Sequence, residues 1–235
     1  MGDNPFIKQM NTDGKLLDKI PTMSGTDLYD LAVTKEGYLV YIDNLSKYIN
    51  IMMKRGEIGC PIFLQEWTPL ALCSSSTEGL LVAMKSSNSG QSKVVRYVDS
   101  TATQDIQNNS EGKALYSTPF CIEENKNFDI IVSDYDVGKV VIVDKNGRFR
   151  FSYDGNLQSK SYAKFTPRTL ATNRMCHILI ADQINRVIHI IDQDGKFLFI
   201  ISNCKLQAPF YLSTDNSDNL LVAEGHYGIV KIIKL

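Results

Sequence analysis

The sequence repeats one phrase along its length, and this repetition limits the possible folds more than any other feature. Residues 167–199 contain a Pro-led apolar strand, a second strand ending in Asp, a third strand, and an Asp-Gly turn before a fourth. Residues 119–151 repeat this order closely, and 28–56, 69–99 and 209–235 repeat it more loosely. A repeat with a period of about 20–50 residues indicates a solenoid, a propeller or another repeat array.

Strand spacing and turn residues favour a propeller over the other repeat folds. The predicted second strands end, at intervals of about 40–50 residues, at Asp43, Met84, Asp134, Asp182 and Glu224. Four short antiparallel strands per repeat, with Asn-Gly or Asp-Gly hairpins, are typical of a propeller blade. We therefore predict an all-β fold, a β-propeller of four-stranded blades with five near-complete blades and a partial one.

The chain is expected to form a single propeller domain over 1–235. The predicted blades are 1–22 (partial), 26–64, 67–113, 115–158, 164–203 and 207–235. The first segment matches the third and fourth strands of a blade, so we expect a six-bladed parent that is truncated at its N-terminus. The polar segment Ser100–Lys113 is interpreted as a flexible insertion in the second blade.

Composition excludes several classes of function. The 25 Lys and Arg residues balance 26 Asp and Glu residues, whereas a non-specific nucleic-acid binder is usually strongly basic. The apolar runs are too short to span a membrane, and the N-terminus lacks the apolar core of a secretory signal. Five widely spaced cysteines favour reduced thiols and a cytoplasmic location. No zinc-ligand spacing, P-loop, G-x-S-x-G or H-E-x-x-H motif is present.

One repeat resembles a known family. Pro167, Ala181-Asp182, Asn185-Arg186-Val187-Ile188 and Asp194-Gly195 resemble the NHL repeat, and the order of units is similar to the C-terminal propeller of tripartite-motif (TRIM-NHL) proteins of the invertebrate-expanded type. The resemblance implies a partner- or substrate-recognition propeller. Any ubiquitin-ligase activity would belong to an upstream RING finger absent from this chain, and the parent would oligomerise through an upstream coiled coil.

The predicted binding surface lies at one mouth of the central channel. The residue after each Pro landmark begins an inner strand, and these residues are Tyr29, Leu70, Phe120, Arg168 and Phe210. Loop tips on the same face add Tyr135, Asp136, Gln183, Asn185, His226 and Tyr227. Aromatic residues and Arg are favoured binding anchors, so we predict partner contacts at Tyr29, Phe120, Arg168, Phe210, Tyr135, Asn185, His226 and Tyr227. The alternative is that the ring residues only wedge adjacent blades together.

The leading hypothesis is a non-catalytic platform, not an enzyme, that binds a protein ligand without a cofactor or metal. Single-stranded RNA is the alternative ligand. A second alternative is a metal-dependent propeller hydrolase or lyase, whose relatives hold a divalent metal on the axis, although the predicted axial ring supplies no such ligands. The repeated acids Asp43, Asp134, Asp182 and Glu224 are expected to bond backbone N–H groups in turns and to pair with Arg186 or Lys139.

Overall fold

The computed structural model describes residues 6–11, 13–22, 25, 28–43, 47–53, 59–155, 163–225 and 228–235. Over these residues the regular structure is entirely β-strand, with no helix. None of the described segments forms a helix long and apolar enough to cross a membrane. The prediction of an all-β fold is confirmed.

The strands form five blades and a separate hairpin. The hairpin consists of β1 (Phe6–Met10) and β2 (Leu16–Pro21). Blade 1 contains β3 (Leu28–Val33), β4 (Leu39–Asp43), β5 (Tyr48–Met52) and β6 (Ile62–Phe63). Blade 2 contains β7 (Trp67–Ser74), β8 (Leu80–Ser86), β9 (Ser92–Val98) and β10 (Thr101–Ile106). Blade 3 contains β11 (Pro119–Glu124), β12 (Ile130–Asp134), β13 (Lys139–Val143) and β14 (Phe149–Tyr153).

The last two blades complete the propeller. Blade 4 contains β15 (Pro167–Thr172), β16 (Ile178–Asp182), β17 (Val187–Ile191) and β18 (Phe197–Ile201). Blade 5 contains β19 (Pro209–Thr214), β20 (Leu220–Glu224) and β21 (Ile229–Ile233). Each blade is antiparallel, and the inner strands β3, β7, β11, β15 and β19 contact one another in chain order. The predicted propeller is therefore confirmed, with the inner strands around a common axis.

One sequence-based interpretation is wrong. The segment Ser100–Lys113 is not simply a flexible insertion, because Thr101–Ile106 is the outer strand of blade 2 and pairs with β9. Most of its side chains face solvent, and Ile106 alone is buried in the core between blades 2 and 3. A strand with one buried side chain has no apolar alternation, so its sequence looks like a loop.

The core lies between blades rather than within any one of them. The middle strands β12, β16 and β17 are buried at every position, because each blade is covered on both faces by its neighbours. Four apolar clusters join blades 1 and 2, blades 2 and 3, blades 3 and 4, and blades 4 and 5. A fifth cluster seats the hairpin on blade 1 by packing Ile7 against Tyr41 and Met52. This packing holds the inner strands rigidly and fixes the cavity between them.

The repeated acids have structural roles. The expected bonds from backbone N–H groups are present at Asp134, Asp182 and Glu224, but the expected pairing with Arg186 or Lys139 is wrong. Three of them also contact the residue seven positions later in the third strand. Asn50 donates to Asp43 at 3.3 Å, Lys231 pairs with Glu224 at 2.6 Å, and Nε2 of His189 lies 3.4 Å from Asp182. Asp134 accepts hydrogen bonds from two backbone N–H groups just before β11, and Glu224 accepts two just before β19. Neither Arg186 nor Lys139 forms an ion pair with any described acid.

Candidate active site in the axial cavity

A β-bulge in every inner strand shapes the axial cavity. The register between the first and second strands shifts just after the Pro landmark in four blades and just after Leu28, the equivalent position, in blade 1. A bulge places two successive side chains on one side of a strand. As a result Tyr29 and Asp30, Phe120 and Cys121, and Phe210 and Tyr211 all line the same cavity.

This cavity has a volume of about 600 Å³ and lies among β3, β11, β15 and β19. Tyr29 and Tyr211, which are 39% and 48% exposed, connect it to solvent. Its deeper wall is apolar and includes Leu72, Ile122 and Leu170. A cavity of this size that is mostly apolar, with a few polar groups, suits a small organic molecule.

Asp30 is a fixed carboxyl group on the cavity wall. Its Oδ2 accepts a hydrogen bond from the backbone N–H of Leu72 at 2.8 Å, and its Oδ1 accepts one from Leu31 at 2.9 Å. The first of these bonds joins blade 1 to blade 2 and sets the direction of the carboxyl group. Burial raises the pKa of Asp30 from 3.8 to about 6, although both hydrogen bonds act to lower it.

Glu123 is a second carboxyl group in the same cavity and is held less tightly. Its nearest described polar contact is the Sγ of Cys73, 4.0 Å from Oε2. Burial, and then the negative charge of Asp30, raise the pKa of Glu123 from 4.5 to about 8. Near neutral pH the cavity therefore holds one ionised and one protonated carboxyl group. Two carboxyl groups with separated pKa values are the usual arrangement for paired base and acid catalysis.

The two thiols near these acids are protonated at neutral pH. Burial raises the pKa of Cys73 and of Cys121 well above the ordinary thiol value, and the charge of Glu123 adds to the effect in both. The Sγ of Cys121 accepts a bond from the N–H of Leu170 at 3.4 Å, the same contact between blades that Asp30 makes with Leu72. A thiol is a poor nucleophile, so the reactive groups of the cavity are the carboxyl groups.

Arg168 lies beside the cavity within a cluster of aromatic rings. Its guanidinium carbon is 4.0 Å from the ring centre of Tyr135, 4.8 Å from that of Phe120 and 5.0 Å from that of Phe210. Its Nε donates to Oε1 of Gln183 at 2.8 Å. These residues come from blades 3, 4 and 5, so Arg168 also joins three blades.

The structure brings most of the predicted site residues together. Tyr29, Phe120 and Phe210 line the cavity, and Arg168 and Tyr135 adjoin it. Asn185 has a local role, because its side chain bonds both backbone groups of Ala163 as well as Asp182. His226 and Tyr227 lie outside the described residues. The role of all eight predicted residues as partner contacts stays a prediction.

Sequence reasoning missed Asp30 and Glu123. In a regular strand successive side chains point to opposite faces, so Asp30 would point away from the axis if Tyr29 points toward it. The bulge reverses this for Asp30. A signal was present, because Glu123 is an acid in an inner strand, where burial makes charge costly. Such an acid is a candidate functional group.

The described residues do not supply a metal site of the kind found in metal-dependent propellers. No group of three or more His, Cys, Asp or Glu side chains among them could hold a metal ion. Both carboxylate oxygens of Asp30 already accept backbone N–H bonds. The donor set of the described residues therefore does not fit a metal ion.

Comparison with known proteins supports the fold but identifies no close relationship. Neither a protein-family model nor a curated protein matches the sequence. Virginiamycin B lyase from Staphylococcus aureus has a similar structure, with a TM-score of 0.63 and 16% identity over 89% of this chain and 70% of that chain. A luciferin-regenerating enzyme gives a TM-score of 0.65 and 10% identity over 89% and 78% of the two chains. A nidogen/laminin complex gives 0.64 and 16% over 94% and 80%.

These similarities show that the chain has a β-propeller fold. They give no support to a tripartite-motif protein in particular. The hypothesis of a non-catalytic tripartite-motif platform, together with the prediction that the protein is not an enzyme, is contradicted, because similar structures are named as lyases and other enzymes. The second alternative, a metal-dependent propeller hydrolase or lyase, agrees better with these comparisons in its reaction class, although the described residues supply no metal site.

Proposed function

We propose that the protein is a propeller hydrolase or lyase that acts on a small molecule in the axial cavity, with Asp30 as general base and Glu123 as general acid. One observation carries the proposal. The cavity holds two carboxyl groups whose pKa values are raised to about 6 and about 8, so that one accepts and the other donates a proton at neutral pH. The enzymes of similar fold support this class of function.

The two carboxyl groups have complementary roles in ester or lactone hydrolysis. Asp30 takes a proton from water as the water oxygen bonds to the acyl carbon. Glu123 donates its proton to the alkoxide oxygen as the carbon–oxygen bond breaks. Exchange with solvent then removes the proton from Asp30 and returns one to Glu123. In an elimination, Asp30 would take a proton from carbon and Glu123 would protonate the leaving group.

The local structure suits these roles. The two backbone N–H bonds orient the Asp30 carboxylate, and orientation of a base contributes to its efficiency. Glu123 has no strong hydrogen bond to another described residue, so its proton is available to a substrate. The apolar wall beside both groups limits water, which strengthens their electrostatic effect on a bound molecule.

Turnover assays test the proposal. Virginiamycin B, γ-butyrolactone and glucono-δ-lactone would be incubated with wild type, Asp30→Asn, Glu123→Gln and the exposed control Glu111→Gln. We expect turnover of at least one compound by wild type and the control, and a loss of about 100-fold or more in each cavity variant. The rate of the wild type should rise through pH 6 and fall through pH 8. Equal rates in wild type and both cavity variants would refute the assigned roles, and no turnover of any lactone would count against the reaction class.

A further inference from the structure

Arg168 is a half-buried cation without a carboxylate partner among the described residues. Two half-buried cations of other blades are paired with acids. Arg96 lies 3.0 Å from Glu124, and Lys231 lies 2.6 Å from Glu224. A positive charge that is partly removed from water and not neutralised within the fold is a ready site for an anion.

The surroundings of Arg168 fix its guanidinium but leave part of it available. Nε donates to Gln183 at 2.8 Å, and Nη2 donates to the hydroxyl of Tyr135 at 3.3 Å. No described residue accepts a hydrogen bond from Nη1. Aromatic rings hold a cation without neutralising it. The guanidinium is therefore positioned in advance with unused hydrogen-bonding capacity, which reduces the entropy lost when a ligand binds.

The guanidinium acts on the same cavity as the two acids. The rings of Phe120 and Phe210, which contact it, are part of the cavity lining. Tyr211 also lines the cavity, and its pKa responds to both groups. Burial and the charge of Asp30 raise that pKa, while the charge of Arg168 lowers it. Arg168 and Asp30 thus both act electrostatically on Tyr211, a residue of the cavity lining.

We propose that Arg168 binds the carboxylate of an anionic substrate at the mouth of the axial cavity, while the neutral ester, lactone or leaving group of that substrate faces Asp30 and Glu123. This inference rests on the proposed function. A planar guanidinium matches a carboxylate in shape as well as charge. At the end of the cavity that holds Asp30 and Glu123, the ionised Asp30 repels an anion. The neutral part of the molecule therefore lies at that end. The substrate class is therefore a small carboxylic acid with a second, hydrolysable or eliminable group.

Binding of glutaramate tests the recognition step without requiring turnover. Glutaramate carries one carboxylate and one neutral amide, whereas the diamide glutaramide carries no charge. Wild type would be titrated with each compound, and the Nε–H resonance of Arg168 followed by NMR. We expect glutaramate to shift this resonance and to bind about tenfold more tightly than glutaramide, as for a charge-assisted contact. Equal affinity for the acid and the diamide would overturn the inference.

Variants separate recognition from a purely structural role. Arg168→Met keeps the length of the side chain and should abolish the preference for glutaramate over glutaramide, whereas Arg168→Lys should keep part of it. Asp30→Asn should retain glutaramate binding, and Glu111→Gln should behave as wild type. If Arg168 only joins blades, Arg168→Met will lower the unfolding temperature and leave glutaramate affinity unchanged, which would refute the proposal.

A matched pair of esters distinguishes failure of this inference from failure of the proposed function. Monoethyl glutarate and ethyl glutaramate differ only in carrying a carboxylate or a carboxamide. Turnover of both at equal rates, with no effect of Arg168→Met, would reject anion recognition and leave the acid–base pair intact. Arg168-dependent binding of glutaramate by a protein that turns over none of the lactones or esters would support the anion site and reject the reaction.

Discussion

Replacement of Glu123 by Gln should stabilise the protein at alkaline pH. The native state keeps the Glu123 proton up to about pH 8, whereas an unfolded chain releases it near 4.5. The native state therefore binds more protons than the unfolded state between these values, and wild-type stability must fall as pH rises through this range. Gln has nearly the same shape as a protonated Glu and cannot ionise, so the variant lacks this loss.

The expected size follows from the same pKa difference. At about 1.4 kcal/mol per pH unit, a rise from 4.5 to about 8 corresponds to roughly 5 kcal/mol once Glu123 is fully ionised. The carboxyl group faces a cavity that opens to solvent beside Tyr29 and Tyr211, which reduces the penalty. We expect the variant to be more stable than wild type by about 2–3 kcal/mol at pH 9, or about 5–10 °C in Tm for a chain of this length, and nearly equal at pH 5.

Urea unfolding of both proteins at several values between pH 5 and pH 9 provides the measurement. The matched control is Glu111→Gln, an exposed carboxyl group whose replacement should leave the pH dependence unchanged. A Glu123→Gln variant with the same stability profile as wild type across this range would show that Glu123 ionises normally. That result would refute both the protonated state of Glu123 at neutral pH and its role as general acid. A catalytic group that destabilises its own fold is expected where activity and stability conflict.

Further substitutions test the structural framework by urea unfolding. Glu124→Gln should destabilise the protein by about 3 kcal/mol, because it breaks a buried ion pair with Arg96 of β9. This effect is opposite in sign to that of Glu123→Gln, and unchanged stability would contradict the pairing. Asp134→Ala should cost about 2 kcal/mol by leaving two backbone N–H groups without acceptors, and a neutral effect would refute it. Gly79→Ala should lower the stability by about 3 kcal/mol, since its Cβ would lie 1.9 Å from a backbone oxygen of β9. In the control Gly90→Ala the Cβ would have no atom within 4 Å, and the loss should be only about 1 kcal/mol. Equal losses for the two glycines would exclude the predicted clash.

The sequence alone was sufficient for the fold because the repeat carries its own physical signals. Apolar strands that are buried between blades, such as β12 and β16, are continuous apolar runs, and Asn-Gly and Asp-Gly turns mark where the chain reverses. The outer strand β10 was missed because solvent covers most of it and only Ile106 is buried. The pairing partners of the repeated acids could not be deduced, since they depend on which residues the register places opposite them.

The candidate site was only partly predictable, for a geometric reason. The Pro landmarks, together with Leu28 at the equivalent position of blade 1, identify the residues at the channel mouth, and Tyr29, Phe120 and Phe210 do line the cavity. The sequence does not show the bulge that turns Asp30 toward the axis, because a bulge arises from how a strand pairs with its neighbour. The raised pKa of Glu123 likewise depends on burial and on the nearby charge from another blade. Local sequence determines which strands form, whereas their closure around an axis decides which side chains meet and how they ionise.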